Sequence, residues 1–273
     1  MASPFRFLLP HTYWRWAVRA WWHWRYDSER VRREENARFA AAGFDRERAM
    51  TELNRHLQVM ELPPFEQCGE MASVHWLLFA CLPQRHRVDR VLEIGTYDGQ
   101  TTALLARLFP LAEIVTLDLP ETDPILAGTY GFARGTPEKL QAFEQRIQAN
   151  TCSPNVKLLR SNSFFLPAVV DGSFDLIWID GGHLFPEIAW DMCNAYHRVR
   201  AGGIMMCDDI IVNPNGRRDD YVSPDAHRVL RYVTERTHDH LDFYLKRQSP
   251  VWSADPHERK YVAMLHKDGD GKI

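Results

Sequence analysis

Residues 91–102 constrain the possible folds of this chain more than any other stretch. They read Val-Leu-Glu-Ile-Gly-Thr-Tyr-Asp-Gly-Gln-Thr-Thr, which predicts a short apolar strand, a turn with two glycines and the start of a helix. A second apolar run follows and ends in Asp118. Two consecutive strand–helix units would place Glu93, Gly95, Gly99 and Asp118 at the carboxyl ends of neighbouring parallel strands, where open α/β sheets bind ligands.

The spacing of the glycines indicates which kind of nucleotide to expect at this edge. A dinucleotide site typically has Gly-x-Gly-x-x-Gly, whereas this chain has Glu93-x-Gly95-x-x-x-Gly99. The additional carboxylate would repel a phosphate and suits a cationic nucleoside, and Asp118 can accept hydrogen bonds from two ribose hydroxyls. At these residues the chain resembles the class I S-adenosylmethionine-dependent methyltransferases, over roughly residues 66–273.

This resemblance implies S-adenosylmethionine as the cofactor and extends the candidate site beyond the glycine turn. Asn162 and Ser163 follow the third predicted strand and are well placed for the adenine edge. The candidate cofactor-binding residues are Glu93, Gly95, Thr96, Gly99, Asp118, Asn162, Ser163 and Asp180.

Three carboxylates follow the fourth and fifth predicted strands, beside this site. Asp180 ends the run Phe-Asp-Leu-Ile-Trp-Ile-Asp, and Asp208 and Asp209 end Ile-Met-Met-Cys-Asp-Asp. Crowded carboxylates repel one another unless protons or a cation neutralise them, and an all-oxygen ligand set suits Mg²⁺, Mn²⁺ or Ca²⁺. His183 lies close after Asp180 in the same turn, and imidazole is the usual general base near neutral pH.

The spacing Asp180-x-x-His183 with Asp208-Asp209 resembles the metal-dependent macrolide-sugar O-methyltransferases of the mycinamicin and macrocin type. This resemblance implies Asp180, Asp208 and Asp209 as Mg²⁺ ligands and His183 as the catalytic base, with Asp180 beside it. Two alternatives stay open. Asp180 and Asp208 end buried strands in many Rossmann-like methyltransferases that use no metal, and His183 could simply cap its turn.

Alternating strand and helix patterns predict the fold class. Strands are expected near 90–94, 113–118, 155–160, 174–180 and 203–208, and helices near 99–109, 136–149 and 186–200. This alternation predicts a Rossmann-like, doubly wound and mostly parallel α/β sheet. Two late β-rich runs, 241–247 and 260–266, are expected to finish it as an antiparallel pair. Residues 120–135 are expected to form a lid, a substrate loop or merely a long connection.

The composition argues against several classes of protein. A net charge of −3 over 273 residues offers no basic field for nucleic acid. Five cysteines without a Cys-x-x-Cys pair fit a reducing compartment. No apolar run approaches the ~20 residues of a membrane span. The apolar stretch within residues 1–10 is too short for a secretory signal. The sequence therefore predicts a cytoplasmic protein.

The beginning of the chain reads differently from the rest, which predicts a helical extension at 1–65 and a methyltransferase domain at 66–273. Residues 13–26 contain five of the nine tryptophans, interleaved with arginines, and predict a cationic amphipathic helix. Its aromatic face is expected to pack on the domain or on a second subunit, in a homo-oligomer. Peripheral contact with an anionic membrane is the alternative.

The function expected from the sequence is Mg²⁺-assisted O-methyl transfer from S-adenosylmethionine to a hydroxyl of a glycosylated or otherwise polar small molecule. A phenol or catechol acceptor is the nearest alternative. An NAD-dependent oxidoreductase is disfavoured by the glycine spacing, and a non-catalytic scaffold by the converging carboxylates. Arg217, Arg218 and Tyr221, after the fifth strand, are expected to line the acceptor pocket or to lie in a solvated loop.

Overall fold

The fold is built on a seven-stranded sheet, in a computed structural model that describes residues 11–66, 73–128, 135–212 and 224–269. The strands are β1 Arg90–Ile94, β2 Glu113–Asp118, β3 Val156–Arg160, β4 Phe174–Ile179, β5 Val199–Ile210, β6 His240–Leu245 and β7 Tyr261–His266. They lie side by side in the order β3-β2-β1-β4-β5-β7-β6. The first five strands are parallel, and β7 pairs antiparallel with both β5 and β6. The predicted fold class is confirmed.

The α-helices of the described residues alternate with these strands after an N-terminal helical segment. They are α1 His11–Arg25, α2 Ser28–Ala41, α3 Arg46–Val59, α4 Val74–Cys81, α5 Gln100–Leu108, α6 Pro124–Gly128, α7 Pro137–Asn150, α8 Leu166–Val169, α9 Glu187–Arg198, α10 Asp225–Thr237 and α11 Pro250–Ser253. Several begin at side chains that cap free backbone amides. The Thr136 hydroxyl accepts from the Lys139 amide at 3.3 Å, as the motif Thr-Pro-Glu predicts.

The two faces of the sheet bury separate apolar clusters, because successive strand residues point to opposite faces. On β1, Val91 belongs to one cluster and Leu92 to the other. The cluster with Val91 also contains Phe39 of α2, Leu53 of α3 and Trp178 of β4. The second and third helices therefore share a core with the sheet, and the division at residue 65 stays a prediction.

Two elements differ from the prediction. Helix α10 was not predicted, and β5 spans Val199–Ile210, longer at both ends than the predicted 203–208. The sequence also predicts a helix from about Glu66 to Cys81; the helix found is Val74–Cys81, preceded by Ser73 in an extended conformation, and residues 67–72 lie outside the described part.

Helix α1 leaves much of its aromatic surface exposed. Trp24, on the face expected to be buried, has 82 % of its surface exposed. The Trp22 ring lies edge-on to His257 at 6.5 Å between centroids, and the Tyr26 hydroxyl donates to the Gln248 carbonyl at 2.6 Å. Packing of the Trp24 face on its own domain is therefore wrong, whereas contact with a second subunit or a membrane stays a prediction. No helix in the described residues is long and apolar enough to cross a bilayer.

Candidate active site

The turn after β1 is shaped by Gly95 and Gly99, which have left-handed φ angles of +100° and +80°. A Cβ on Gly95 would lie 2.3 Å from the carbonyl oxygen of Asp180, so only glycine fits there. The Asp180 amide also donates to the Ile94 carbonyl at 2.8 Å. The turns after β1 and β4 are thus in direct contact. Gly95 is therefore required because its backbone lies so close to the turn after β4. Contact of Gly95 and Gly99 with a cofactor stays a prediction.

Asp118, at the end of β2, faces the same glycine turn. Its Oδ2 accepts from the Tyr97 amide at 2.9 Å, and its Oδ1 accepts from the Leu119 amide at 2.8 Å. Tyr97 has a φ of 51°, which is uncommon for a residue other than glycine, and the first hydrogen bond helps to hold it there. These two hydrogen bonds hold the Asp118 carboxylate beside the glycine turn.

Glu93 is fully buried and faces the protein interior. Its Oε2 accepts from the Thr102 hydroxyl and from the Thr116 hydroxyl at 2.7 Å, and the Thr96 hydroxyl lies 2.6 Å from that of Thr116. Burial raises the pKa of Glu93 to about 8, although both threonine hydrogen bonds act to lower it. Glu93 is therefore mostly neutral near pH 7. In this arrangement Glu93 and Thr96 bond to interior hydroxyl groups, and contact of either residue with a cofactor stays a prediction.

Asn162 and Ser163 form the turn after β3. The Asn162 Oδ1 accepts from the Phe164 amide at 2.9 Å, and the Ser163 carbonyl accepts from the Trp190 indole at 3.2 Å. The exposed Phe164 and Trp190 rings stack with 4.7 Å between centroids. Beneath them, Asp191 is buried, its Oδ1 has no partner in the described residues, and burial raises its pKa to about 6. Adenine contact by Asn162 and Ser163 stays a prediction.

His183 and Asp180 share the turn after β4. The His183 Nε2 lies 3.6 Å from the Asp180 Oδ1, beyond a good hydrogen bond but within strong electrostatic reach. Burial acts to lower the pKa of His183, but Asp180 and the charges of Asp209 and Asp208 outweigh it and raise that pKa. The His183 Nδ1 is buried and has no partner in the described residues. One ring nitrogen thus faces a carboxylate while the other is free to accept a proton.

Asp180 carries less negative charge than an ordinary aspartate. Burial, followed by repulsion from Asp208, raises the pKa of Asp180 to about 6, although 33 % of its side chain is exposed. Asp180 and His183 therefore shift each other's pKa: Asp180 raises that of His183, and His183 acts to lower that of Asp180.

Asp208 and Asp209 lie at a β-bulge in β5. Between the flanking pairs β5 carries one residue more than β7, and Asp209 has a left-handed φ of 56°. Consecutive residues of a regular strand point to opposite faces. The bulge removes that alternation, so the two carboxylates reach the same neighbouring side chain.

That neighbour is Lys246, which follows β6. Its ammonium contacts Asp208 Oδ2 and lies 2.6 Å from Asp209 Oδ1, while Lys260 Nζ lies 2.5 Å from Asp209 Oδ2. Burial acts to raise the pKa of Asp209, but the charges of Lys246, His183 and Lys260 hold it well below its ordinary value. Burial acts to lower the pKa of Lys246, but Asp208 and Asp209 raise it above the usual lysine range.

These residues, as arranged, do not fit Mg²⁺. Three of the four oxygens of Asp208 and Asp209 contact an ammonium group. Mg²⁺ needs near-octahedral oxygen ligands at about 2.0–2.1 Å and would be repelled by an ammonium on those same oxygens. Within the described ranges, no group of three or more His, Cys, Asp or Glu could hold a metal ion. The expected ligand set of Asp180, Asp208 and Asp209 is not the arrangement found.

Sequence reasoning missed Lys246, Lys260 and His75. The two lysines border the late strands, and only the β6–β7 pairing brings them to the carboxylates. His75, on α4, stacks on Trp178 with 4.9 Å between centroids, and its Nδ1 lies 2.7 Å from the Ser73 hydroxyl. Burial lowers the pKa of His75 to about 4, so it is neutral near pH 7. The sequence did contain one indication of His75, because it is an isolated histidine in the apolar run of α4.

Several acceptor-pocket candidates lie outside the described residues. They are Arg217, Arg218 and Tyr221, together with residues 129–134 of the predicted lid. The described start of that lid includes the short helix α6.

Proteins that are similar to this chain include methyltransferases. Residues 92–210 match a family model described as a methyltransferase domain. O-methyltransferase hkm8 of Aspergillus hancockii is 26 % identical over 154 residues, which are 56 % of this chain and 52 % of that protein. The match thus spans about half the length of that curated relative.

Solved structures show a similar fold. A proposed caffeoyl-CoA O-methyltransferase from Staphylococcus aureus superposes with a TM-score of 0.50 and 15 % identity, over 80 % of this chain and 91 % of that one. The O-methyltransferase TomG from Streptomyces achromogenes, solved with S-adenosylmethionine, gives a TM-score of 0.47 and 16 % identity over 89 % and 99 % of the two chains. Residues 92–210 thus match a methyltransferase domain, and the structure from Staphylococcus aureus has a similar fold.

Proposed function

We propose that this chain is an S-adenosylmethionine-dependent O-methyltransferase that acts on a hydroxyl of a polar small molecule. One observation carries the proposal. The turn that bears Asp180 and His183 contacts the glycine turn at Gly95, so a candidate base adjoins the candidate cofactor site. The methyltransferase-domain match over residues 92–210 supports the same reaction class.

The cofactor end of this site fits S-adenosylmethionine. The Asp118 carboxylate lies beside the glycine turn, and a carboxylate is a suitable acceptor for ribose hydroxyls. The exposed Tyr97 side chain and the turn at Asn162 border the same edge of the sheet. When bound, this cofactor supplies an electrophilic methyl group on a sulfonium.

The chain's own part in the reaction is to remove a proton. Methylation of a hydroxyl forms a carbon–oxygen bond while a carbon–sulfur bond breaks, and the hydroxyl proton must leave. His183 Nδ1 accepts that proton in our proposal, with the Nε2 proton directed to Asp180. The imidazolium that forms is stabilised by Asp180 and by the nearby charges of Asp209 and Asp208.

The resemblance of Asp180-x-x-His183 to macrolide-sugar enzymes supports a sugar hydroxyl as the first acceptor class to test. Transfer of tritiated methyl groups from S-adenosylmethionine to glycosides, to catechols and to primary amines would be measured. We expect label on a hydroxylated acceptor and its loss in His183→Ala. Label on amines alone, or no transfer although the cofactor binds, would contradict the proposal.

A further inference from the structure

We propose that Lys246 takes the place of a divalent cation in this site, so that the site operates without a metal ion. The inference rests on the proposed O-methyl transfer and names a positioning residue for it. Lys246 acts by holding Asp208 and Asp209 and by neutralising their charge next to the Asp180–His183 pair.

The positions of the oxygens carry the first step. A cation that bridges two successive carboxylates needs one oxygen from each, directed to a common point. The bulge in β5 provides that arrangement, and the Lys246 Nζ is the atom at the common point. Lys260 contacts the remaining Asp209 oxygen, which leaves Asp208 Oδ1 as the one oxygen of this pair without a partner in the described residues.

Burial carries the second step. The Asp208 side chain is 2 % exposed and the Lys246 side chain 11 % exposed, so neither charge is solvated by bulk water. A buried carboxylate needs a compensating charge in contact with it. Lys246 provides that charge to Asp208, and removing it would leave Asp208 uncompensated.

The backbone of Lys246 is anchored, which makes this a built feature of the fold. Its amide donates to the Lys260 carbonyl at 2.9 Å, and its carbonyl accepts from the Val74 amide at 2.8 Å. The side chain therefore starts from a fixed point on the β6–β7 ladder and reaches β5 across it.

The test is Mn²⁺ binding, followed by electron paramagnetic resonance, in the wild type, Lys246→Ala, Lys246→Arg and Lys157→Ala. Lys157 is an exposed lysine on β3, so its removal controls for overall charge. We expect Lys246→Ala to bind Mn²⁺ at least about tenfold more tightly than the other three, since it alone frees the carboxylates. Adding Asp208→Asn to Lys246→Ala should abolish the gain.

Three results would overturn the inference. One is a Lys246→Ala protein that binds S-adenosylhomocysteine, and is therefore folded, but binds Mn²⁺ no better than the wild type. The other two need no variant: they are tight Mn²⁺ binding by the wild type, and transferase activity that chelation abolishes and Mg²⁺ restores. Because Mn²⁺ binding requires no acceptor, a gain in Lys246→Ala together with no methyl transfer by the wild type would support the role of Lys246 and refute the proposed function.

Discussion

At the scale of single residues, burial sets the charge of the groups in this site, and it does so differently for neighbours of the same type. Glu93 has hydroxyl donors and, among the described residues, no cation beside it, and its pKa rises to about 8. Asp209 is half-buried, yet two lysines and a histidine hold its pKa low. The charge of each carboxyl thus depends on its partners, which come from distant parts of the chain.

Glu93 makes the stability of the protein depend on pH. Its folded-state pKa is raised from 4.5 to about 8, so the folded state binds an additional proton between these values. The contribution of Glu93 is therefore present below about pH 4.5 and is lost as the pH rises through about 8. Urea unfolding at several pH values should show this loss in the wild type and a smaller one in Glu93→Gln, which stays neutral. Identical pH dependence in both proteins would contradict the assignment.

His183→Ala should lower the turnover number by about 10²–10⁴-fold, the usual contribution of a general base. The affinity for S-adenosylhomocysteine should be unchanged. The raised pKa of His183 makes neutral imidazole scarcer at low pH, so the wild-type rate should climb as the pH rises through a value above 6.5. This rise of the rate with pH should vanish in His183→Ala. It should persist in His23→Ala, which removes an exposed histidine on α1. Normal turnover with an unchanged pH profile would assign the base elsewhere.

At the scale of elements, the site depends on two irregular backbone features. One is the Gly95 turn, and the other is the bulge at Asp209. The glycine spacing was visible in the sequence and predicted the turn. The bulge was not visible, because a run of Met-Met-Cys-Asp-Asp gives no indication of which residue leaves the ladder.

Gly95→Ala should be more destabilising than Gly202→Ala. Both glycines have left-handed φ angles, so both substitutions should cost about 1–2 kcal/mol in backbone strain. A Cβ at Gly202 meets nothing within 4 Å, whereas one at Gly95 would lie 2.3 Å from a carbonyl oxygen. Overpacking should add about 1–3 kcal/mol for Gly95→Ala, measured by urea unfolding. Equal losses in the two variants would show that the turns after β1 and β4 can separate freely.

The strands and helices of the parallel half could be predicted from the sequence because each is a short apolar run or an amphipathic repeat with clear boundaries. The start of α7 after Thr136 and the late antiparallel pair were also predicted correctly. Lys246 could not be assigned to the candidate site from the sequence, because the pairing of β5, β7 and β6 is what brings it close to Asp208. The sequence pattern shows that Asp208 and Asp209 are adjacent, but it does not show that Lys246 contacts them.

At the scale of the whole molecule, the exposed aromatic residues of α1 have no explanation within one chain. Trp16 is 72 % exposed and Trp24 82 % exposed, next to the basic residues Arg19 and Arg25. Exposed aromatic groups beside basic ones suit either a second subunit or an anionic lipid surface.

Removing residues 1–26 should leave the cofactor site intact, because Asp27 still caps α2 and the sheet lies downstream. We expect a lower oligomer mass by light scattering, since the Trp24 face is open. A full-length Trp16→Ser, Trp24→Ser protein should behave alike, whereas Leu111→Ser, at a fully exposed site elsewhere, should not. Lost co-sedimentation with anionic vesicles at unchanged mass would indicate the membrane instead. If neither property changed, both explanations of the aromatic face would fail.

Calorimetric titration with S-adenosylhomocysteine tests the central claim most directly. The account predicts one binding site per chain, no competition by NAD, and an affinity at least about tenfold lower in Asp118→Ala. That loss follows because a hydrogen bond to a charged carboxylate contributes about 1.5–3 kcal/mol. The exposed Asp171→Ala is the matched control and should bind normally. Binding of NAD in place of S-adenosylhomocysteine, or full affinity in a folded Asp118→Ala protein, would contradict the account.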